Sequence, residues 1–504
     1  MCGCASETAF EKAILNNANF DILIANGNIV DGSGDLPYLA DVLIRADTIA
    51  YIGKVDTSSI SYDSFIDASG KVVAPGFIDV HAHGNALSDT PMDNFLKMGV
   101  TTIVLGQDGS HPTANTSGGT VDLVDWMDLL EEKGPAVNVA LLAGHATLRR
   151  EAGVDYADDP TAAQLREMAQ NLQAALNAGC YGLSTGLEYV GGMSAKEDEL
   201  VALAKVVGND DGIMMSHVRN EDDDKVEQSI EELLRLGEHC KVHVSHMKVV
   251  YGKGADRARE ILGKLESARD QEIEVSADVY PYLASYTTIG IVFPEWAKTV
   301  EQFEEAKRTR NKELREYLFN RVQKRNGPKS TLLAGNQYAG KTLDQAAADL
   351  GISFVDLLMQ FGPGGGSGAY FIMEDSLMST LLLHPETMVS SDGSPTMRHP
   401  RGYGTFARII QRYVVERKQL TIKEAVRKMT TLSAKTMGIE RRGLLKVGNF
   451  ADVIVFDPQN VKENATYLDP YQTASGFDEV MVNGISVVKE ETVLSPRAGR
   501  LLRK

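Results

Sequence analysis

The sequence predicts an α/β chain: a (β/α)8, TIM-like barrel with a small β-sandwich domain built from both chain ends. Three observations predict it. Short alternating strands with tight turns occur near the two ends of the chain, apolar runs of parallel-sheet type alternate with capped helical stretches between them, and metal-capable side chains fall where those runs stop. A chain of 504 residues is long for one compact domain, although a barrel with insertions accommodates more than about 300 residues.

Residues 1–19 read as an N-terminal tail. From 20 to 75, runs such as Phe20-Asp21-Ile22-Leu23-Ile24 and Asp41-Val42-Leu43-Ile44 are separated by Asn26-Gly27-Asn28 and Gly32-Ser33-Gly34, the texture of an antiparallel β unit. It returns within 441–504, in Asp452-Val453-Ile454-Val455-Phe456 and Glu479-Val480-Met481-Val482-Asn483-Gly484. One sandwich split by a long insertion accounts for both segments. Between them, 76–440 is the expected barrel, with strand candidates at 76–83, 100–105, 137–143, 181–187, 212–217, 241–246, 273–280 and 387–391. Thr331-Leu332-Leu333-Ala334 is a competing ninth. Asp159-Pro160-Thr161 opens a helix running to Asn177 and stopping at Gly179, and 421–437 reads as another single helix. Residues 285–330 are charged and helical without a barrel strand, so an insertion able to cover the barrel mouth is expected there. The run Gly362-Pro363-Gly364-Gly365-Gly366-Ser367-Gly368 lacks the Lys-Ser/Thr ending of a phosphate cradle and reads as a loop.

Composition narrows the function. A net charge of -18 argues against a nucleic-acid partner, and the Lys/Arg-rich stretch 307–325 is interleaved with Glu304, Glu305, Glu313 and Glu316 as on a solvated helix face. Cys2, Cys4, Cys180 and Cys240 are too few for a disulfide framework, and no apolar run approaches membrane-span length. A cytoplasmic protein is expected; Cys2 and Cys4 leave open a trimmed lipoprotein or periplasmic form. The oligomeric state is not readable.

The chemistry is carried by strand ends. In Asp79-Val80-His81-Ala82-His83 two imidazoles lie two residues apart, so period-two geometry puts both on one face, within reach of one metal ion. Asp108 follows the second strand, His217 ends the fifth, His246 the sixth and Asp392 the eighth. Four of only ten histidines therefore fall where a barrel places its active site. The same counting aligns Val244, His246 and Lys248 on one face and turns His243 and Met247 away, leaving His243 and His239 as structural or surface residues. Imidazoles with carboxylates suit zinc, which lowers the pKa of a bound water to about 7. Asp392 is placed to take a proton from that water and pass it to a leaving amine.

The segments Pro75-Gly76-Phe77-Ile78-Asp79-Val80-His81-Ala82-His83, Gly99-Val100-Thr101-Thr102, Ser216-His217-Val218-Arg219-Asn220-Glu221, Ser245-His246-Met247-Lys248, Asp278-Val279-Tyr280-Pro281-Tyr282 and His399-Pro400-Arg401-Gly402-Tyr403-Gly404-Thr405-Phe406 resemble the amidohydrolase superfamily. Within it they look like the N-acyl-D-amino-acid deacylase (D-aminoacylase) branch, over residues 20–495. The resemblance implies zinc, one or two ions per chain, with His81, His83, Asp108, His217, His246 and Asp392 as ligands and Asp392 also as catalytic acid/base. It implies that Lys248, Arg401 and a tyrosine of the pair Tyr280/Tyr282 hold the substrate's α-carboxylate, and Tyr189 completes the substrate-binding set. The implied reaction is metal-dependent hydrolysis of N-acyl-D-amino acids to a carboxylate and a free D-amino acid, by a metal-activated hydroxide. A metallo-dipeptidase is the nearest alternative and a cyclic-amide hydrolase a more distant one. Where many members of the branch have a cysteine in Gly-Asn-Cys-Gly, this chain has Gly106-Gln107-Asp108-Gly109, a harder ligand still acceptable to zinc. The fourth strand lacks the lysine carboxylated in cyclic-amide hydrolases. Glu188 could bridge there instead, orient substrate or support a ligand, and His145 and Arg149 either line the site or pack.

Overall fold

The computed structural model describes residues 18–87, 92–112, 122–156, 158–494 and 497–504; Cys2 and Cys4 lie outside them. Both chain ends enter one nine-stranded sheet. Strands from Asn19–Ile29 to Val72–Pro75 supply one part and strands from Val453–Phe456 to Thr492–Val493 the other, joined where Val72–Pro75 runs antiparallel to Val453–Phe456. Period-two alternation explains the burial on both faces. Ile22 and Ile24 pack with Val42, Val73 and Val453, whereas Leu23 and Ala25 pack with Leu43 and Tyr51 on the opposite side. The strands Asn19–Ile29 and Val72–Pro75 approach closely at Gly27, where a Cβ would sit 2.4 Å from Val73 Cγ2.

Eight further strands are parallel: β1 (Phe77–Asp79), β2 (Val100–Leu105), β3 (Asn138–Leu141, resuming at Ala143–Gly144), β4 (Gly182–Gly186), β5 (Ile213–His217), β6 (Lys241–Val244), β7 (Val275–Val279) and β8 (Thr387–Val389). They pair in two ladders, β1-β2-β3 and, from the resumed end of β3, β3-β4-β5-β6-β7-β8. Backbone bonds continue across both breaks. Leu142 N–H donates to Leu105 O, Asp392 N–H to His81 O and His83 N–H to Gly393 O. All eight strands lie where the sequence puts them, and each is buried on both faces, as helix-covered parallel strands must be. Ile78, Val80, Val104, Ala140, Ile213, Met215 and Met388 form one cluster, while Phe77, Ile103, Leu183, Met214, Val242 and Val275 pack into the larger core shared with the helices.

The helix Ala162–Asn177 starts at a Thr161/Gln164 capping box as expected. The expected single helix 421–437 is two, Ile422–Met429 and Thr431–Met437. Thr430 leaves the helical region (φ -136, ψ -89) and its hydroxyl donates to Val426 O, a local bond that competes with the helix ladder. The insertion is larger than the sequence suggests and is not purely helical. Ala284–Thr288, Ser367–Phe371 and Thr331–Leu333 form a three-stranded antiparallel sheet, backed by helices that include Val300–Thr309, Asn311–Lys324 and Phe354–Phe361. This unit has its own core, with Phe293, Phe303, Leu314, Leu318, Leu357 and Tyr370. The ninth strand candidate at Thr331 therefore belongs here, and the glycine run stops a helix at Gly362 (φ 65) and turns into Ser367–Phe371. Among the described residues no helix is long and apolar enough to cross a membrane.

Candidate metal centre

Three residues of the expected ligand set have left-handed backbones just beyond a strand: Asp108 (φ 53) after β2, His246 (φ 36) after β6 and Asp392 (φ 46) after β8. Such conformations are tolerated by Asp but costly for His, and they turn each side chain out of the strand's alternation. The period-two count across 243–248 fails for this reason. β6 stops at Val244, whose side chain joins the core shared with the helices, and the turn then carries His246 and Lys248 into the site. His243 is not turned away. It is fully buried beneath the site with Nε2 2.6 Å from Asp278 Oδ2, and Asp278 Oδ1 in turn accepts from His246 N–H at 2.9 Å.

The first-strand histidines are fixed by Asp79, whose Oδ1 accepts from Ser391 N–H at 3.0 Å and His81 N–H at 3.3 Å, tying β1 to the segment after β8. Burial pushes the Asp79 carboxyl up to about 7. Donor atoms of His81, His83, Asp108 and Asp392 all lie within 4.8 Å of one another, and so do those of Asp108, His217 and His246. Asp108 is common to both groups. Its Oδ1 is 3.4 Å from His81 Nε2 and 3.3 Å from His246 Nε2, and its Oδ2 is 3.5 Å from His83 Nε2. A third group joins Glu188, His217 and Glu221. Glu188 Oε2 is 3.2 Å from His217 Nε2, and His217 Nδ1 is 2.9 Å from His246 Nε2.

These residues fit a cation. Both ring nitrogens of His81 and Oδ1 of Asp108 are buried without a hydrogen-bond partner, although nearly all buried polar atoms in proteins have one. Imidazole and carboxylate donors converging on the same space satisfy one another through a divalent ion. Burial disfavours a charged His83, but hydrogen bonds to Asp108 and Asp392 outweigh it and push the imidazole up to about 9. In the same way burial opposes ionisation of Asp392, while Arg401 and the neighbouring histidines hold its carboxyl well below the usual range.

The substrate-side candidates divide. Arg401 is fully buried, with Nη1 2.9 Å from Asp392 Oδ2. Lys248 Nζ lies 2.5 Å from Glu221 Oε1 and 2.8 Å from His246 Nδ1; burial pulls its ammonium down, but Glu221 outweighs this and holds it above its ordinary value. Tyr280 lies beside both cations, with Lys248 Nζ 5.7 Å and Arg401 Cζ 4.8 Å from its ring centre, and its buried hydroxyl has no partner. Tyr189 packs its ring 4.4 Å from that of His217. All four line one cavity with His217, His246 and Asp392. Tyr282 does not line it. Its hydroxyl donates to Glu463 Oε1 at 2.6 Å, under an Arg408 that also binds Glu463. His145 and Arg149 pack elsewhere, both on the buried Glu199: His145 Nε2 is 2.8 Å from Oε1, and Arg149 Nη1 is 2.7 and 2.5 Å from the two oxygens.

Sequence reasoning did not single out Glu221 and Asp278. Both stand inside the quoted motifs, Glu221 four residues after His217 and Asp278 two before Tyr280, but nothing in the spacing showed that one pairs with Lys248 and the other supports His246.

Residues 64–349 and 319–488 match the family described as Amidohydrolase family. The chain is 34% identical to an N-acyl-D-glutamate deacylase of Alcaligenes xylosoxydans xylosoxydans, covering 96% of both chains, and 32% identical to a D-aminoacylase of the same organism, covering 96% of this chain and 98% of the relative. Among solved structures it is similar to the N-acyl-D-glutamate deacylase from Bordetella bronchiseptica, complexed with zinc and a phosphonate inhibitor that mimics the tetrahedral intermediate. There the TM-score is 0.84 at 33% identity, over 96% of this chain and all of the other.

Proposed function

The chain belongs to the amidohydrolase family, and from that premise we propose that it hydrolyses the amide bond of N-acyl-D-amino acids to a carboxylate and a free D-amino acid, with zinc as its metal. The observation that carries this reading is the meeting of two donor groups at Asp108, beside two buried cations and a tyrosine that can receive a carboxylate. In it, His81, His83, Asp108 and Asp392 would hold one ion, and His217 and His246 would serve a second where two are bound. A zinc ion there supplies Lewis acidity for the amide carbonyl and acidifies water.

The protein's own groups do the rest. Arg401 and Lys248 take the α-carboxylate, Arg as a fork and Lys as a point charge, with the Tyr280 hydroxyl as a further donor. Glu221 keeps Lys248 charged for that task. Asp392, ionised, accepts the proton of the attacking water and returns it to the leaving amine. The eight parallel strands support one closed barrel, because backbone bonds from His81 and His83 to Asp392 and Gly393 bridge β1 and the segment after β8. We read the nine-stranded sheet as the separate β-sandwich domain. The free thiols Cys180 and Cys240 suit a reducing cytoplasm.

Asp392→Asn tests the assignment. It should leave the circular dichroism spectrum intact and lower kcat by at least about 10³-fold, since an amide neither accepts nor returns the proton. Near-normal turnover would remove Asp392 from its role.

A further inference from the structure

The cavity that holds Lys248, Tyr280 and Arg401 beside the metal centre is also lined by Val250, Ile291, Ile372 and Arg325. Arg325 caps the helix Asn311–Lys324 of the insertion and is 4% exposed. Its backbone N–H is used by Arg321 and Val322 carbonyls, and its guanidinium lies 4.9 Å from the Tyr370 ring centre. Among the described residues its side chain has no hydrogen-bond acceptor and no acidic partner, and Nε is buried without a partner. The neighbouring cations do not share this state. Arg321 and Lys324 both bind Asp222, Lys324 also reaches Asp224, and Lys248 is matched by Glu221.

A guanidinium keeps its charge, so burying one without an anion is unfavourable. Asp222, a buried carboxylate of the same cavity, is already bound by two cations. Nearby stands a tyrosine outside the cavity lining. Tyr251, whose backbone N–H binds Ile372 O, has a buried hydroxyl without a partner, and its ring faces Lys324. A fork of N–H donors matches one carboxylate. The α-carboxylate already has Arg401, Lys248 and Tyr280 at the metal end. The relatives named above include an N-acyl-D-glutamate deacylase and a D-aminoacylase, so the substrate side chain has to be read from this chain's own residues.

We propose that Arg325 is a specificity-determining residue that binds a carboxylate on the substrate's side chain, so that the preferred substrates are N-acyl derivatives of acidic D-amino acids. This rests on the deacylase reading above. The test compares kcat/KM of the zinc-loaded protein on N-acetyl-D-glutamate and N-acetyl-D-aspartate with the near-isosteric amides N-acetyl-D-glutamine and N-acetyl-D-asparagine, and on neutral N-acetyl-D-methionine. The wild type should favour the better acid over its amide by about 10²-fold, as sites built to bind a polar group discriminate against analogues that lack it. Arg325→Met should erase that preference by lowering the acid while leaving the amide nearly unchanged, and Arg325→Lys should keep part of it. A wild type that takes the amides as well as the acids overturns the proposal, and so does an Arg325→Met variant that loses equally on both. The wild-type comparison needs no variant and decides the matter if Arg325→Met does not fold. Hydrolysis of the neutral substrate without an acid preference overturns only this inference; hydrolysis of none of the D-substrates overturns the deacylase reading and this with it.

Discussion

Replacing Arg401 by Met removes two functions at once, and the structure allows them to be separated. The first is substrate binding. Arg401 is fully buried, and loss of one partner from a buried, hydrogen-bonded charge pair costs about 2–5 kcal/mol, or roughly 30-fold to several thousand-fold in kcat/KM. That loss falls only on substrates with an α-carboxylate. The second is control of Asp392. At 2.9 Å and an effective dielectric constant near 20, the attraction is about 6 kcal/mol before desolvation is subtracted. Burial already pushes the Asp392 carboxyl up, and Arg401 leads the groups that hold it down. Without Arg401 the carboxyl therefore protonates at higher pH, and the acid limb of the pH-rate profile moves upward for every substrate. The assay measures kcat/KM across pH on an N-acetyl-D-amino acid and on the matching N-acetylated amine that lacks the carboxylate. Well above the shifted limb, only the amino acid should show the loss. Equal losses on both substrates at every pH would refute the carboxylate clamp.

Two further outcomes are expected. Arg149→Met should destabilise the fold by about 3–5 kcal/mol in urea unfolding, because it strands the buried Glu199 with His145 alone, while kcat/KM of the folded protein stays unchanged; a kinetic loss at unaltered stability would move Arg149 into the active site. Asp108→Asn should weaken zinc binding in chelator competition by at least about 10²-fold, and Asp108→Cys should restore much of it; unchanged affinity in the Asn variant would show that Asp108 is not a ligand.

Much of this architecture is legible in the sequence because parallel strands buried on both faces write themselves as continuous apolar runs, and all eight of those runs are strands. The proposed ligand positions are legible for a related reason, since they stand at or just beyond the ends of the runs. What the sequence conceals lies in backbone turns and in long-range pairing. The left-handed turn at His246 breaks period-two counting, so His243 falls beneath the site rather than away from it. Tyr280 and Tyr282 look equivalent in the motif, yet only the pairing of Tyr282 with Glu463, 181 residues away, separates them. The insertion hides its sheet because Ala284–Thr288 and Thr331–Leu333 are short strands that meet only through Ser367–Phe371, far along the chain.

The most direct measurement strips the purified protein of metal, adds zinc back stepwise, and follows hydrolysis of paired D and L N-acetyl amino acids. The account predicts no activity without metal, recovery with one or two zinc ions per chain, and turnover of the D enantiomers alone. Full activity in the metal-free protein, or equal hydrolysis of the L enantiomers, would contradict it.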